Sequence, residues 1–273
     1  MIRFVIPAFN EAENIPNLMA DLGPRARELG ARIIFVDDGS SDGTSEAIEA
    51  HREDLHLAIV RHQVNRGLGT AINSGLRAAL GESQDGDAIV TLEADNTSDL
   101  DDLPAMLAKF NQGADVVLAS VYAPGGRIVG VEPWRLAASK AVSNTFRYAG
   151  GLKEIHTLSS LYRIYRAGTL RRAAETYGWL LVREPGFAAN VELLLKLYNA
   201  GATVSEVPTI NDWSRRLGVS KMNTRRTVVA YGRLMAAHIV GRIQPPPLSP
   251  LGAEAPAAIE AQQSGPRRLE EVA

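Results

Sequence analysis

Short apolar runs alternate with amphipathic segments through the first half of the chain. The runs are rich in Ile, Val, Leu and Phe, and they cover residues 2–6, 32–36, 57–60, 87–92 and 115–121. Runs that are apolar almost throughout are typical of strands buried on both faces, and the segments between them space their apolar residues as helices do. The alternation predicts the α/β class: a Rossmann-like, mainly parallel sheet flanked by helices, with right-handed crossovers.

After residue 121 the pattern is less regular. Amphipathic helices are predicted at residues 133–148, 169–177 and 190–200, and strands at residues 158–165 and 203–208. The last of these strands alternates apolar and polar residues and closes the sheet region.

A basic stretch follows the last predicted strand. Residues 215–243 contain seven Lys and Arg and no Asp or Glu. Within them, residues 224–243 have helical spacing, and the predicted apolar side consists of Val228, Val229, Tyr231, Leu234, Met235, Ile239 and Ile243. Arginines 225, 226, 233 and 242 supply the charge. Such a helix suits an anionic bilayer surface, or it packs on its own domain or on a second copy of the chain in a homo-oligomer.

Three parts of the chain are therefore expected. Residues 1–222 form one α/β domain and residues 223–243 a basic amphipathic helix. Residues 244–273 are rich in Pro and Ala with mixed charge, which predicts a disordered tail.

Composition narrows the class of protein. With 273 residues, of which 45% are hydrophobic, the chain can bury the core of one large α/β domain. Its formal net charge of −2 gives no general attraction to nucleic acid. The absence of cysteine excludes disulfides and fits a reducing compartment such as the cytoplasm. No apolar run approaches the roughly 20 residues that span a bilayer, so a soluble or peripheral protein is expected.

Acidic side chains follow two predicted strands at the point where each strand ends. Asp38 lies after one strand, and Glu93 and Asp95 lie after another. The carboxyl ends of parallel strands form the ligand crevice of such a sheet. Carboxylates two residues apart on extended chain share one side and suit Mg²⁺ or Mn²⁺ that carries phosphates. The other interpretation is a helix start, because Ser98 or Asp99 is a good N-cap, and both can hold at once.

A glycine-bearing loop at residues 65–75 leads into a helix. Glycines at a helix start let backbone N–H groups approach an anion. The loop matches neither the Lys-bearing P-loop nor the dinucleotide fingerprint, so neither kind of nucleotide site is predicted there.

Six motifs occur in a characteristic order between residues 2 and 222. They are Ile6-Pro7-Ala8-Phe9-Asn10-Glu11, Val36-Asp37-Asp38-Gly39-Ser40-Ser41-Asp42-Gly43-Thr44, Asn65-Arg66-Gly67-Leu68-Gly69, Glu93-Ala94-Asp95, Ser159-Ser160-Leu161-Tyr162-Arg163 and Arg215-Arg216-Leu217-Gly218-Val219-Ser220-Lys221. In this order the chain resembles the family 2 glycosyltransferases of GT-A fold. The last motif is similar to that of the dolichyl- and polyprenyl-phosphate mannosyltransferases within that family.

The resemblance implies a role for each motif. The residues implied to hold the nucleoside are Pro7, Phe9, Glu11, Val36 and Asp38. Those implied to meet the diphosphate and its metal are Glu93, Ala94 and Asp95, with Glu93 and Asp95 as the metal ligands. Arg215 and Lys221 are implied to lie over the phosphates from a mobile loop and, with Asp95, to be the catalytic residues.

The implied reaction is an inverting transfer of a hexose, with mannose from GDP-mannose the first expectation, to a polyprenyl phosphate at the cytoplasmic face of a membrane. The acceptor is already an oxyanion and needs positioning more than a base, whereas the departing diphosphate needs a divalent cation and fixed positive charge. Two alternatives are a transferase acting on a soluble glycan or protein acceptor, and a nucleotide-sugar-binding protein without turnover.

Five positions differ from the usual pattern of these transferases. Glu93 stands where an Asp is usual, Thr97 where a Gln is frequent, Val121 where an arginine is usual, Thr157 where an Asp is usual and Leu161 where a Gly or Ser is usual. The longer arm of Glu93 changes where a metal would lie, and Val121 removes a phosphate contact unless Arg127 replaces it.

Overall fold

The computed structural model describes residues 1–52, 55–218, 221–241 and 243. Its strands are β1 (Ile2–Ala8), β2 (Arg32–Asp37), β3 (Leu57–Arg61), β4 (Ala88–Thr91), β5 (Val116–Ser120), β6 (Arg127–Val129), β7 (Arg163–Arg166), β8 (Val204–Pro208) and β9 (Ile210–Asp212). Within the described residues, seven strands form one sheet in the order β3-β2-β1-β4-β7-β5-β8, and β6 pairs with β9 in a small second sheet.

The helices are α1 (Ile15–Glu28), α2 (Thr44–Glu49), α3 (Leu68–Gly81), α4 (Leu103–Asn111), α5 (Pro133–Ala149), α6 (Ala167–Tyr177), α7 (Ala189–Asn199) and α8 (Thr224–Ile239). Every neighbouring pair of strands in the large sheet is parallel except the two pairs that contain β7, which runs antiparallel between β4 and β5. The predicted mainly parallel sheet is therefore confirmed, with one reversed strand that the apolar pattern did not indicate.

Helices cover both faces of the sheet. Along β1, Val5 points into the apolar cluster that contains α3, α6 and α7, whereas Phe4 and Ile6 point into the cluster that contains α1 and α4. Successive side chains of a strand point to opposite faces, so a strand buried on both faces has to be apolar at every position. This accounts for the continuous apolar runs in the sequence.

The basic helix is joined to the same core. Leu234 and Met235 of α8 are buried in the cluster that α7 and the buried Phe146 of α5 also share. The helix begins at an Asn223 cap, whose side-chain oxygen accepts the Arg226 N–H at 3.1 Å. Part of the predicted apolar side is thus packed on its own domain, and Val228, Val229 and Ile239 stay exposed.

Two sequence-based predictions concern residues outside the described ranges. The segment at residues 244–273, for which the sequence predicts a disordered tail, lies outside the described residues, as does Arg242 at the end of the predicted basic helix. In the part of the chain that is described, the helices fall short of the length and apolarity that crossing a membrane requires.

Candidate active site

A pocket of about 910 Å³ opens at the carboxyl ends of β1, β2 and β4. We call it the central pocket. At the strand ends its lining includes residues 7–9 and 11, Asp38, the loop at residues 65–68 and the turn at residues 93–95. The rest of the lining includes residues 184–188 and 190 and one side of α8. The crevice predicted outside the strand ends is therefore present, and most of the residues singled out in the sequence line it.

Asp38 is buried at the end of β2, and its carboxylate is fully engaged by the protein. Oδ1 lies 2.6 Å from Nδ1 of His62 and accepts the Arg66 N–H at 3.0 Å, while Oδ2 accepts the Gly67 N–H at 2.8 Å. His62 also contacts Ser74 Oγ at 2.9 Å through its other ring nitrogen. These bonds tie the loop before α3 to the sheet, so Asp38 shapes the wall of the pocket.

Glu11 follows β1, and its carboxylate lies close to two cations, Arg216 and Lys221. Its Oε2 accepts from Asn14 Nδ2 at 2.7 Å, and its Oε1 accepts from Lys221 Nζ at 2.5 Å. Lys221 also donates to the Asn10 carbonyl. The Glu11 carboxylate and the Lys221 ammonium group therefore pair with each other in the pocket wall. The resemblance implies a ligand contact for each: the nucleoside for Glu11 and the phosphates for Lys221.

Glu93 lies just past the end of β4 and is held by two hydrogen bonds. Leu161 N–H donates to Oε1 at 3.0 Å, and Ser98 Oγ donates to Oε2 at 2.9 Å. Burial, together with the nearby charge of Asp95, raises the pKa of Glu93 to about 6, although both hydrogen bonds act in the opposite direction. Glu93 therefore loses its proton at a higher pH than an ordinary glutamate does.

Asp95 lies in a sharp turn that the left-handed φ of 64° at Asn96 creates. Its Oδ1 accepts from Thr97 Oγ1 at 2.8 Å and from Thr97 N–H at 3.2 Å. Its Oδ2 faces the pocket and accepts from Nη1 of Arg216 at 3.1 Å. The same guanidinium lies 3.6 Å from Oε1 of Glu11, so one cation links two of the pocket's acids.

Arg216 is the residue that the sequence did not single out. Its side chain is only 10% exposed and reaches into the pocket, whereas the neighbouring Arg215 is 42% exposed and lies 3.5 Å from Asp21 outside it. The two are adjacent in the sequence, and a 3-10 turn at Trp213–Arg215 sends their side chains in different directions. Sequence pattern carries no signal that would distinguish them.

The other predicted site residues fall into two groups, those that line the central pocket and those that do not. Pro7, Phe9 and Ala94 line the central pocket. Val36 is completely buried within β2 and does not line it. Asn190, which the sequence analysis placed only in a helix, does line it.

The carboxylates at the end of β4 suit a divalent cation that takes its other ligands from phosphates. Among the described residues no group of three or more His, Cys, Asp or Glu side chains could hold a metal ion. Mg²⁺ commonly binds through one or two carboxylates plus substrate phosphates, and Asp95 Oδ2 is a pocket-facing oxygen of this kind. The donor set therefore fits a metal that arrives with a diphosphate, and Arg216 now occupies the oxygen that such a metal would use.

The sequence is similar to those of known glycosyltransferases. The family model described as glycosyl transferase family 2 matches residues 4–173. The polyprenol monophosphomannose synthase of Mycolicibacterium smegmatis is 31% identical over 242 residues, which is 88% of this chain and 87% of that protein. The dolichol-phosphate mannosyltransferase of Pyrococcus furiosus is 26% identical over 54% of this chain and 41% of that protein.

A solved structure is similar over most of the fold. Glucosyl-3-phosphoglycerate synthase from Mycobacterium tuberculosis, in complex with Mn²⁺, uridine diphosphate and phosphoglyceric acid, has a TM-score of 0.61. The match covers 90% of this chain and 79% of that chain at 20% identity. This likeness concerns the fold alone, and it confirms the GT-A fold expected from the motifs.

Proposed function

Because this chain belongs to glycosyl transferase family 2, we propose that it transfers a hexose, mannose first, from a nucleotide-diphosphate sugar to a polyprenyl phosphate. The observation that carries the proposal is the central pocket itself, in which acids at the strand ends face a basic side of α8. The name of the relative that matches along 88% of the chain supports the polyprenyl acceptor and the mannosyl group.

The chemistry requires little from the protein beyond placement and charge. An oxygen of the acceptor phosphate attacks C1 of the sugar, the bond from C1 to the diphosphate oxygen breaks, and the nucleoside diphosphate leaves with the bonding electrons. Attack opposite the leaving group inverts the configuration at C1. The acceptor oxygen is already anionic, so no general base is needed, and the charge that develops on the diphosphate is what must be stabilised.

We assign the nucleoside to the wall formed by Pro7, Phe9 and Glu11, which Asp38 holds in shape through the loop before α3. The flat ring face of a nucleobase can pack against Phe9 on this wall, and the Glu11 carboxylate is suited to accept hydrogen bonds from ribose hydroxyls.

Asp95 and Glu93 are proposed to hold the divalent cation, which, when bound, neutralises diphosphate charge. We assign the diphosphate contacts of the protein to Arg216 and Lys221. Both cations already lie in the pocket wall on acidic partners, and a diphosphate in the pocket would compete with those carboxylates for them. Arg215, given this role by the resemblance, is the weaker candidate because its side chain lies outside the central pocket.

The acceptor also bears on where the protein works. We infer peripheral contact with a membrane through exposed apolar side chains of α5, of α8 and of the residue that follows α8: Trp134, Val228, Ile239 and Val240. Tryptophan and aliphatic side chains of this kind favour the boundary between head groups and acyl chains. Sedimentation with phospholipid vesicles tests this inference. Val240→Asp should reduce pelleting, and undiminished pelleting would exclude this surface.

A two-phase assay tests the proposed reaction. Radiolabelled nucleotide sugars, with GDP-mannose first, are incubated with polyprenyl phosphate and Mg²⁺ or Mn²⁺, and label is counted in the organic and aqueous phases. Label in the organic phase is the expected result. Transfer only to water-soluble glycans would replace the lipid acceptor by a soluble one, and donor binding without transfer or hydrolysis would identify a protein without turnover.

A further inference from the structure

One side of α8 forms part of the wall of the central pocket, which the turn at residues 93–95, here called the acidic turn, also lines. Arg226, Val229, Ala230 and Arg233 all line it, with the spacing of residues that share one helix face. Arg225 also lines the pocket, from the first turn of the helix. The charge of this helix is therefore directed at the pocket that we propose holds the donor, rather than only at surrounding solvent.

The cations of this wall are not equally engaged. Arg233 pairs with Glu184 at 3.0 Å. Within the described parts of the chain, the side chains of Arg225 and Arg226 are exposed and have no hydrogen-bond or ion-pair partner. Two uncompensated guanidinium groups beside a pocket constitute a site for an anion, because arginine matches the oxygens of phosphate with two parallel N–H groups.

The surroundings of the arginines are apolar, which restricts the kind of anion. Val229 lines the pocket and is 62% exposed, and the adjacent Val228 is 48% exposed outside it. The pocket lining also includes Leu161 and Phe187. An anionic group at the arginines would therefore lie beside apolar surface, as the head group of an amphiphile does.

A second observation points to a ligand in this part of the pocket. Asn190, at the start of α7, is 2% exposed and lines the pocket. Its side-chain nitrogen donates to the Ser159 carbonyl at 3.2 Å, but its side-chain oxygen is buried without a hydrogen-bond partner among the described residues. A buried polar atom without a partner costs free energy, so this oxygen in the pocket lining points to a polar ligand in the central pocket.

We propose that Arg225 and Arg226 form the subsite for the phosphate of the acceptor, with its polyprenyl chain leaving over Val229 and Val228. The subsite rests on the proposed function and extends it to the second substrate. The arginines hold two phosphate oxygens and leave the third directed at the donor sugar, which lies between them and the acidic turn. Positive charge on α8 thus orients the acceptor, and attraction to an anionic bilayer is not its main role.

Variants at these two positions test the subsite. Arg226→Gln, Arg225→Gln and the double variant are compared with Arg77→Gln, which removes an exposed arginine of α3 that does not line the pocket. The acceptor is citronellyl phosphate, a short prenyl phosphate that needs no membrane. We expect its KM to rise about tenfold or more in each single variant, equivalent to about 1.4 kcal/mol, with the affinity for nucleoside diphosphate and Mn²⁺ unchanged. Arg77→Gln should behave as the wild type.

Three outcomes would overturn the assignment. An unchanged KM for citronellyl phosphate in the double variant would show that the arginines do not bind the acceptor. Equal losses for nucleoside diphosphate would move them to the donor. Loss of vesicle binding with an unchanged KM would assign them to the bilayer. If the wild type transfers to no prenyl phosphate at all, the proposed function itself fails and the subsite fails with it, which the wild-type control shows separately.

Discussion

Glu93 offers a test of the electrostatics of the acidic turn that needs no substrate. Its carboxyl group is buried beside Asp95, and its pKa is raised from 4.5 to about 6. We predict that Glu93→Gln stabilises the protein at neutral pH. Glutamine has the same shape, its amide oxygen can accept the Leu161 N–H, and its amide nitrogen can donate to Ser98 Oγ, so the two hydrogen bonds of the native side chain are kept in form.

The sign follows from the direction of the pKa change. A carboxyl group whose pKa is higher in the folded than in the unfolded state favours folding while it is protonated, below pH 4.5. That contribution is lost as the pH rises through about 6, where Glu93 ionises inside the pocket. A change from 4.5 to about 6 corresponds to roughly 2 kcal/mol, since each pKa unit is worth about 1.4 kcal/mol. The variant has no such loss.

Urea unfolding followed by intrinsic fluorescence measures the effect at several pH values between 4.5 and 8. The free energy of unfolding of Glu93→Gln should exceed that of the wild type by up to about 2 kcal/mol at pH 8. The difference should decline steadily towards pH 4.5. Glu13→Gln, at an exposed position of the same charge, is the matched control. A difference between Glu93→Gln and the wild type that stays constant across this pH range would refute the raised pKa, and so would an equal effect in the control.

Three further predictions concern residues whose surroundings differ from what the sequence indicated. Arg216→Gln should weaken binding of nucleoside diphosphate by about tenfold or more, whereas Arg215→Gln should leave it within about twofold, as titration calorimetry can show; equal effects would contradict the assignment of Arg216. Asp38→Asn should cost about 2 kcal/mol of unfolding free energy, because its second oxygen accepts the partly buried Gly67 N–H, which an amide NH₂ cannot do; a stability equal to the wild type would mean that the bond is unimportant. Leu234→Ala should cost about 2–3 kcal/mol and Val228→Ala less than about 0.5, since only the first is buried; thermal and urea unfolding would detect a reversal.

The sheet could be predicted because burial on both faces leaves a continuous apolar signal in β1, β2, β4 and β5. The direction of β7 could not, since strand direction depends on which neighbours pair with it and leaves no mark in the apolar pattern. The small sheet was missed for a different reason. β6 and β9 have three residues each, none of them fully buried, and so carry no period to detect.

The site shows the same division. Acids at the ends of β1, β2 and β4 could be expected to converge, because parallel strands end at one edge of a sheet. The contacts that each acid makes could not be expected from the sequence. Asp38, for example, uses its two oxygens to contact His62 and to accept two backbone N–H groups. For α8, helical spacing predicted the helix, but it could not tell which apolar residues would be covered by α7 and which would stay exposed.

The most direct test of the account compares wild type and Asp95→Asn in the two-phase transfer assay, after circular dichroism has shown that the variant keeps its fold. Asp95 directs one oxygen into the central pocket, and the substitution removes its charge with almost no change in shape. We predict label from nucleotide sugar in the organic phase for the wild type with Mg²⁺ or Mn²⁺. In the variant we expect transfer to fall by at least about a hundredfold and metal-dependent donor binding to be lost. Transfer by a folded Asp95→Asn at the wild-type rate would contradict the claim that this turn holds the diphosphate and its metal.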